Sequence, residues 1–215
     1  MVLSVLTIAC VLKTGGDFDP SHVTRLRDNV AGHLNLNHRF VCLTDDRVDC
    51  DSIPLGNKWP NWWAKINLFR PGQFDGPVVY FDLDVLIVGQ LDSIVLDHSF
   101  TMLKSFWPHG NVNSSVMAWM ADNMAPVYER FSNGPVVWMN GYRSKSKWGD
   151  QDFIFDHSHI EPEYWQDKFP GAFCSYKLNV EKNGGKIPVG TKVVIFHGQP
   201  RPWDTEIGRR YEPSQ

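Results

Sequence analysis

Residues 78–84 read Val-Val-Tyr-Phe-Asp-Leu-Asp, an apolar run that leads directly into two carboxylates. The run follows Gly76-Pro77 and is rich in β-branched and aromatic side chains, which predicts a buried strand. Because side chains two residues apart on a strand share a face, Asp82 and Asp84 are expected to point the same way. Two acids on one face repel each other unless a cation joins them, and magnesium sites use one or two carboxylates with substrate phosphates. The pair therefore indicates a metal site that holds a phosphate, with a solvated pair of acids at a strand end as the alternative.

Strand patterns alternate with helical patterns along the rest of the chain. Strands are predicted at 2–12, 39–43, 78–84 with a continuation at 86–88, 100–104, 115–119 and 192–196. Helices are predicted at 20–34, 61–69, 121–131 and 150–155, and a proline-rich tail follows the last strand. This alternation indicates an α/β domain with a mostly parallel central sheet flanked by helices.

Polar side chains follow several of the predicted strands. Because ligands bind at the carboxyl ends of strands in such sheets, one crevice is expected to collect these side chains. They are Lys13, Asp45, Asp82, Asp84 and His197. Lys13 and Asp45 are interpreted as nucleotide contacts on this position alone.

Length and composition limit the class of protein. At 215 residues the chain has the size of one domain, predicted to span 1–215. A net charge of -3 and a pI near 6.2 give no support for a general nucleic-acid-binding surface. Four cysteines without CxxC spacing favour a reducing compartment. The apolar N-terminal run is too short to span a bilayer, so no transmembrane segment and a cytoplasmic location are expected.

Several short motifs, in their order along the chain, resemble one family. They are Trp-Ala-Lys-Ile-Asn-Leu-Phe at 63–69, the 78–84 stretch, Gly-Gln-Leu-Asp at 89–92, Asn-Ser-Ser-Val-Met at 113–117, Gly-Asp-Gln-Asp at 149–152 and Phe-His-Gly-Gln-Pro-Arg-Pro-Trp at 196–203. Together they resemble the nucleotide-sugar glycosyltransferases of family eight, which includes glycogenin-like and lipopolysaccharide galactosyltransferase-like enzymes. The resemblance implies the GT-A fold, with a donor-binding part at about 1–105 and an acceptor and closing part at about 106–215.

The resemblance also implies an activity and a role for each matched residue. The reaction would move a sugar, with retention, from a nucleotide-sugar donor, most commonly a UDP-sugar. The acceptor would be a glycan, a lipid-linked molecule, a protein or a nucleic-acid base. The implied roles are Mn²⁺ or Mg²⁺ binding by Asp82, Asp84 and His197, donor binding by Lys65, Gly198 and Arg201, sugar or acceptor contact by Asn113, Ser114 and Trp203, and flanking of the anomeric carbon by Asp150 and Gln151.

Two positions depart from the family pattern. The family places its metal histidine three residues before the closing glycine, where this chain has Ile195, whereas His197 directly precedes Gly198. Residues 195 and 197 are expected to share a strand face, which would displace the ligand along that face. Ser115 replaces the usual glycine of the 113–117 motif.

Other interpretations stay open from the residues alone. The Asp-x-Asp triplet also resembles that of haloacid-dehalogenase-type phosphatases, but Leu86 and Ile154 stand where that family has other residues. A non-catalytic module that binds a nucleotide sugar or a glycan would keep the same motifs. Trp62 and Trp63 are interpreted as core residues, with a sugar-binding platform as the alternative. Asp150 could instead be a plain helix N-cap.

Overall fold

The structure, a computed structural model, describes residues 5–96, 99–108 and 110–211. The strands are β1 (Leu6–Leu12), β2 (His38–Thr44), β3 (Asp51–Pro54), β4 (Pro77–Phe81), β5 (Val85–Ile87), β6 (Thr101–Lys104), β7 (Val112–Met120), β8 (Glu163–Tyr164), β9 (Phe173–Ser175) and β10 (Val193–Ile195). The α-helices are α1 (Pro20–His33), α2 (Ala125–Ser132), α3 (Pro135–Gly141), α4 (Gly149–His157), α5 (Trp165–Lys168) and α6 (Glu206–Arg210). Shorter 3₁₀ and π segments lie at Asn61–Phe69, Ala121–Met124, Tyr176–Val180, Glu181–Asn183 and Pro202–Asp204.

A mostly parallel central sheet organises the described residues. Its strand order is β3-β2-β1-β4-β7-β6-β8. The pairs β3–β2, β2–β1, β1–β4 and β6–β8 are parallel, and only β7 runs antiparallel to its neighbours β4 and β6. Strands β5, β10 and β9 form a second, smaller sheet. The predicted α/β class with a mostly parallel sheet and flanking helices is confirmed.

Apolar side chains on both faces of the central sheet form the core. The alternating residues of β1 divide between the two faces, because Ile8 and Cys10 pack in one hydrophobic cluster and Ala9 in the other. Helix α1 covers the first of these faces with Val23 and other buried side chains. Its N-cap is Asp19, whose carboxylate accepts a hydrogen bond from the backbone nitrogen of Ser21 at 2.8 Å.

The parallel strands bring their carboxyl ends to one edge of the sheet. Leu12 is in register with Thr44, and Ala9 with Tyr80, so the residues that follow β1, β2 and β4 meet there. The cavity at this edge contains four of the five side chains that the sequence predicted there, Lys13, Asp82, Asp84 and His197, but not Asp45. The register of the sheet therefore explains why residues distant in sequence share one site.

Several predicted elements differ in detail. Strand β4 ends at Phe81, and β5 belongs to the other sheet, so Asp82 and Asp84 lie in the turn between sheets rather than on one continuous strand. The helix predicted at 61–69 is a 3₁₀ helix that is buried from Trp63 onwards. The first predicted strand includes residues 2–4, which lie outside the described residues.

Short elements were missed, among them β3, α3 and α6. Helix α6 and the 3₁₀ turn before it occupy what was predicted to be an irregular proline-rich tail. Their few residues give no sustained periodicity from which a helix could be predicted. Among the described residues, no helix has both the length and the apolar character needed to cross a membrane.

Candidate active site

A cavity of about 910 Å³ lies at the carboxyl edge of the central sheet. Its walls come from the loop after β1, the 3₁₀ helix Asn61–Phe69, the turn after β4, the start of β7, the start of α4 and the segment after β10. This volume is within the range of cavities that enclose a small-molecule ligand or cofactor. The predicted site residues that line it are Lys13, Lys65, Asp82, Asp84, Asn113, Ser114, Asp150, Gln151, His197, Gly198 and Arg201.

A buried lysine connects the acid pair to Asp150. The ammonium nitrogen of Lys65 is 3.0 Å from Asp82 Oδ1 and 3.0 Å from Asp150 Oδ2. It also donates a hydrogen bond to Ser114 Oγ at 2.9 Å, and Ser114 donates to Asp150 Oδ2 at 2.8 Å. We call these four residues, Lys65, Asp82, Ser114 and Asp150, the charged network. It joins four separate segments of the chain at one ammonium group.

The charge of Lys65 is maintained by its acidic neighbours. Burial alone would lower the pKa of Lys65, but the carboxylates of Asp150 and Asp82 outweigh burial and raise that pKa above its usual value. Tyr80 on β4 donates a hydrogen bond to Asp82 Oδ1. Burial, followed by the charge of Asp82, raises the pKa of Tyr80, so the phenol keeps its proton and acts as a donor. The ammonium group is therefore a fixed positive charge between two carboxyl groups.

Asp84 has a different cationic partner. Arg201 donates from Nη1 to Asp84 Oδ2, and from Nη2 to Asp17 Oδ2 at 2.9 Å. The guanidinium group also lies 4.9 Å from the ring centroid of Phe18. Burial, followed by repulsion from Asp82, raises the pKa of Asp84 to about 7, although Arg201 acts in the opposite direction. Arg201 is thus held at the cavity wall by two acids and an aromatic ring.

The acid pair fits a divalent cation through two carboxylates. Burial and mutual repulsion raise the pKa of Asp84, so a cation beside Asp82 and Asp84 would be favourable. Across residues 5–96, 99–108 and 110–211, however, no group of three or more His, Cys, Asp or Glu side chains has the arrangement of metal ligands. The remaining ligands would have to come from a bound phosphate or from water, as magnesium sites commonly allow.

His197 lies in the same cavity but contacts another residue. Its Nε2 atom is 3.1 Å from Ser175 Oγ, and burial followed by the charge of Lys177 lowers the pKa of His197 to about 4. The imidazole is neutral at pH 7, which is the form that binds metals. Strand β10 ends at Ile195, a fully buried core residue. The prediction that residues 195 and 197 share a strand face is therefore wrong.

The two residues predicted from strand-end position alone are paired with each other. Lys13 forms an ion pair with Asp45, which also accepts a hydrogen bond from the backbone nitrogen of Thr14 at 2.9 Å. The hydrogen bonds from Lys13 and Thr14 outweigh desolvation and lower the pKa of Asp45. Lys13 lines the cavity and Asp45 does not. Asp45 therefore positions Lys13 and lies behind the cavity wall.

Trp203 also lies outside the cavity lining. Its ring centroid is 4.1 Å from that of His22 and 6.0 Å from that of Phe18. The guanidinium group of Arg25 lies 5.0 Å from the indole. Because His22 and Arg25 belong to α1, Trp203 packs the closing segment of the chain onto this helix.

The other predicted residues are held by the local backbone. Asn113 Oδ1 accepts a hydrogen bond from the backbone nitrogen of Ser115 at 2.9 Å, at the start of β7. Gln151 follows Asp150 in the first turn of α4. Gly198 has a φ of 74°, a conformation that favours glycine. All three residues line the cavity.

Tyr80 and Asp17 are among the polar cavity residues that sequence reasoning missed. Tyr80 contacts Asp82, and the alternation of side chains along β4 could have identified it, because positions 80 and 82 share a face of an extended chain. Asp17 contacts Arg201 after the turn at Gly15-Gly16. No sequence signal identifies Asp17, because its partner lies near the other end of the chain.

Three half-exposed tryptophans of the cavity lining, Trp62, Trp107 and Trp148, were also missed. Trp63 is 3% exposed, and its predicted core position is confirmed. Trp62 is 47% exposed and lines the cavity, so its predicted core position is wrong. Trp148 lines the cavity as well and is 54% exposed. The sequence does not indicate which of the adjacent Trp62 and Trp63 is buried, because both side chains could be buried on the 3₁₀ helix.

Comparison with solved structures finds matches for this chain, whereas comparison with protein families and curated sequences finds none. No protein-family model matches the sequence, and no curated protein does. The glycosyltransferase GlyE of Streptococcus pneumoniae TIGR4 matches with a TM-score of 0.63, at 12% identity, over 99% of this chain and 61% of GlyE. Its apo form matches with a TM-score of 0.66 at 14% identity. The chain therefore spans about three fifths of the length of GlyE.

A second solved structure matches over nearly the whole of both proteins. The galactosyltransferase LgtC, in complex with donor and acceptor sugar analogs, matches with a TM-score of 0.62, at 13% identity, over 95% of this chain and 93% of LgtC. LgtC belongs to glycosyltransferase family eight. At these identities the likeness establishes the fold, and the chain has the GT-A glycosyltransferase fold that the motifs led us to expect.

Proposed function

We propose that the chain is a metal-dependent glycosyltransferase that moves a sugar from a nucleotide-sugar donor, a UDP-sugar, to an acceptor hydroxyl with retention of anomeric configuration. The observation that carries the proposal is the charged network, in which one buried ammonium group contacts both Asp82 and Asp150. A transferase needs cationic groups at the departing diphosphate and a carboxylate at the anomeric carbon. The network links candidates for both requirements within one cavity of the GT-A fold.

Asp82 and Asp84 are the residues that would hold Mn²⁺ or Mg²⁺, together with donor phosphate oxygens. Such a cation, when bound, offsets the negative charge that develops on a leaving diphosphate. In the structure these carboxylates are paired with Lys65 and Arg201. Binding of the donor complex would therefore require Arg201 to exchange at least part of its contact with Asp84 for contact with phosphate.

The basic residues of the cavity provide the remaining charge for a diphosphate. Arg201 suits this task because its planar guanidinium group can donate two parallel hydrogen bonds to phosphate oxygens. Its Nε atom is buried and has no hydrogen-bond partner in the described part of the chain, so it has donor capacity left for a ligand. Lys13 adds a second positive charge along the same cavity.

In the transfer step, a bond forms between the acceptor oxygen and the anomeric carbon. The bond from that carbon to the phosphate oxygen breaks, the diphosphate leaves with the electron pair, and the acceptor hydroxyl gives up its proton to the departing diphosphate. Asp150 stabilises the positive charge that develops at the anomeric carbon. As a nucleophile it would instead bond to that carbon while the diphosphate leaves, and the acceptor oxygen would displace the carboxylate in a second step. Ser114 and Lys65 hold the Asp150 carboxylate in position for either role.

Thermal unfolding with a panel of nucleotides and nucleotide sugars, each with and without Mn²⁺, tests the proposal. A ligand that binds only the native state stabilises it by about 2.7 kcal/mol at a hundredfold excess over its dissociation constant. We expect stabilisation that needs both Mn²⁺ and one class of nucleotide, followed by release of free nucleoside diphosphate on turnover. Stabilisation by no member of the panel, in a folded sample, would contradict the proposal.

A non-catalytic module that binds a nucleotide sugar or a glycan is the second candidate. Two observations favour it. The described residues contain no three-ligand metal group, and both acids of the pair are already paired with cations. The same panel separates the two functions. Nucleotide binding without any release of nucleoside diphosphate, with or without Mn²⁺, would favour the module.

A further inference from the structure

Two of the three half-exposed indoles that line the cavity lie beside each other, and the charged network uses neither of them. The rings of Trp62 and Trp148 both line the cavity, at 47% and 54% exposure. Their centroids are 6.3 Å apart and the ring planes are inclined by 38°. We call Trp62 and Trp148 the aromatic pair. Adjacent exposed indoles on one cavity wall differ from single apolar residues scattered over a surface, which are common and need no explanation.

The aromatic pair lies directly beside Asp150. A Cβ atom at Gly149 would be 3.1 Å from Trp62 Nε1, so this indole packs against the backbone that begins α4. Trp148 is the N-cap residue of the same helix. The exposed Trp107, by contrast, contacts the His197 ring, with centroids 6.1 Å apart. The aromatic pair is therefore associated with the predicted reaction centre, and Trp107 with another part of the cavity wall.

The chemistry of the pair favours a ring that has both apolar and polar faces. An indole face carries a partial negative charge, and it attracts the C–H groups of a pyranose, which carry partial positive charge. The hydroxyl groups at the rim of such a ring need hydrogen-bond partners, and the amides of Asn113 and Gln151 line the same cavity. A saccharide satisfies both requirements at once, whereas an acyl chain offers these amides no hydrogen-bond partner.

We infer that the aromatic pair is the acceptor platform, and that the acceptor is a saccharide whose pyranose ring stacks on Trp62 or Trp148. The inference rests on the proposed transferase function and specifies its acceptor class. Stacking there places a hydroxyl of the acceptor beside Asp150, where the anomeric carbon of the donor would be. The diphosphate of the donor occupies the part of the cavity lined by Lys13 and Arg201.

Saturation-transfer-difference NMR on the full chain tests the platform. The probes are methyl β-D-glucopyranoside and methyl β-D-galactopyranoside, with thymidine and a short fatty acid as non-saccharide probes. We expect saturation of the pyranose C–H protons by the wild-type protein. Trp62→Ala and Trp148→Ala should each weaken this binding about fivefold, since an aromatic contact contributes on the order of 1 kcal/mol.

Trp107→Ala is the matched control, because Trp107 is 46% exposed and lines the same cavity. It should leave pyranoside binding unchanged. Equal binding by wild type and by both variants of the pair would overturn the inference, and so would an equal loss in the Trp107 variant. If thymidine or the fatty acid binds and neither pyranoside does, the saccharide acceptor is overturned in favour of another acceptor class.

Nucleotide binding, measured on the same samples with Mn²⁺, separates this inference from the function on which it rests. Nucleotide-dependent stabilisation without pyranoside binding would overturn the platform and leave the transferase proposal intact. Pyranoside binding without nucleotide binding would overturn the transferase proposal and support a glycan-binding surface at the aromatic pair. The half-exposed Trp148 provides a usable variant even where Trp62→Ala destabilises the fold.

Discussion

The charged network and the aromatic pair line one cavity but are built in opposite ways. The side chain of Lys65 is 8% exposed and that of Asp150 is 9% exposed, and every charged atom of the contact has a partner. Trp62 and Trp148 instead leave about half of each residue exposed. Buried charges must be paired because an unpaired charge is costly in a low-dielectric interior. Exposed indoles carry no such requirement, so their surface stays available for a ligand.

This difference assigns different tasks to the two regions. Several mutual contacts fix the geometry of the charged network, as is needed where charge develops during a reaction. The aromatic pair offers flat, apolar area that can accept different sugar rings by stacking. Substitutions in the network should therefore affect both stability and turnover, whereas substitutions at the pair should mainly affect ligand binding. The predictions below test this division, beginning with the largest expected effect.

Lys65→Met should have the largest effect on stability. Methionine preserves most of the volume but removes the cation shared by Asp150, which is buried, and Asp82, whose side chain is 24% exposed. Removing one partner of a buried ion pair costs about 3–5 kcal/mol of unfolding free energy. Urea denaturation followed by circular dichroism measures this loss. Nucleoside diphosphate release should fall to background in the same variant.

Lys104→Met is the control for Lys65→Met, because Lys104 forms its ion pair at the surface. Lys104 and its partner Asp167 are 47% and 59% exposed, and such pairs contribute about 0.2–1 kcal/mol. The two variants should therefore differ by several-fold in their loss of stability. Equal losses would mean that the charged network is no more important to the fold than a surface pair.

Substituting both acids of the pair should affect turnover more than stability. We expect Asp82→Asn with Asp84→Asn to reduce metal-dependent release of nucleoside diphosphate by about a hundredfold or more, because the developing phosphate charge loses its stabilising cation. EDTA should reduce wild-type turnover similarly, and Mn²⁺ should restore it only in the wild type. Wild-type turnover that persists in EDTA would remove the metal from the mechanism.

Arg201→Gln tests the cation that pairs with Asp84 and Asp17, outside both regions. Glutamine cannot pair with both Asp84 and Asp17, and the loss of charge-assisted hydrogen bonds should reduce the unfolding free energy by about 1.5–3 kcal/mol. Affinity for the nucleotide should fall about tenfold, measured by titration calorimetry. Arg210→Gln is the control, since Arg210 pairs with Glu206 at the surface and its loss should leave nucleotide affinity unchanged.

Much of the fold and of the charged network was predictable from sequence. The alternation of apolar strands with amphipathic helices determines the sheet class, and the apolar run before Asp82 identifies the strand that carries the acid pair. Lys65 and Asp150 lie in motifs with recognisable residues around them. Their mutual contact was not predictable, because it depends on how the 3₁₀ helix Asn61–Phe69 packs against α4.

The aromatic pair was not predictable, for a related reason. An indole is equally suited to a core and to a ligand surface, and only tertiary packing decides between them. Trp62 and Trp63 are adjacent in sequence, yet one is half-exposed and the other is buried. Trp148 lies in a segment with no apolar periodicity. Residues whose role depends on exposure are therefore the ones that sequence patterns identify least well.

The smallest predicted effect concerns the backbone beneath the aromatic pair. Gly149 and Gly184 have φ values of 67° and 64°, so alanine at either position should cost about 1–2 kcal/mol of unfolding free energy. An added Cβ at Gly184 meets nothing within 4 Å, whereas one at Gly149 would press on Trp62 Nε1 at 3.1 Å. Gly149→Ala should therefore shift the indole and weaken pyranoside binding about threefold, and Gly184→Ala should leave binding unchanged. The two variants share the backbone penalty, so their difference in saturation-transfer NMR isolates the contact with Trp62. Identical pyranoside binding by both would show that the position of this indole is not critical, and Trp148 would then be the main stacking surface.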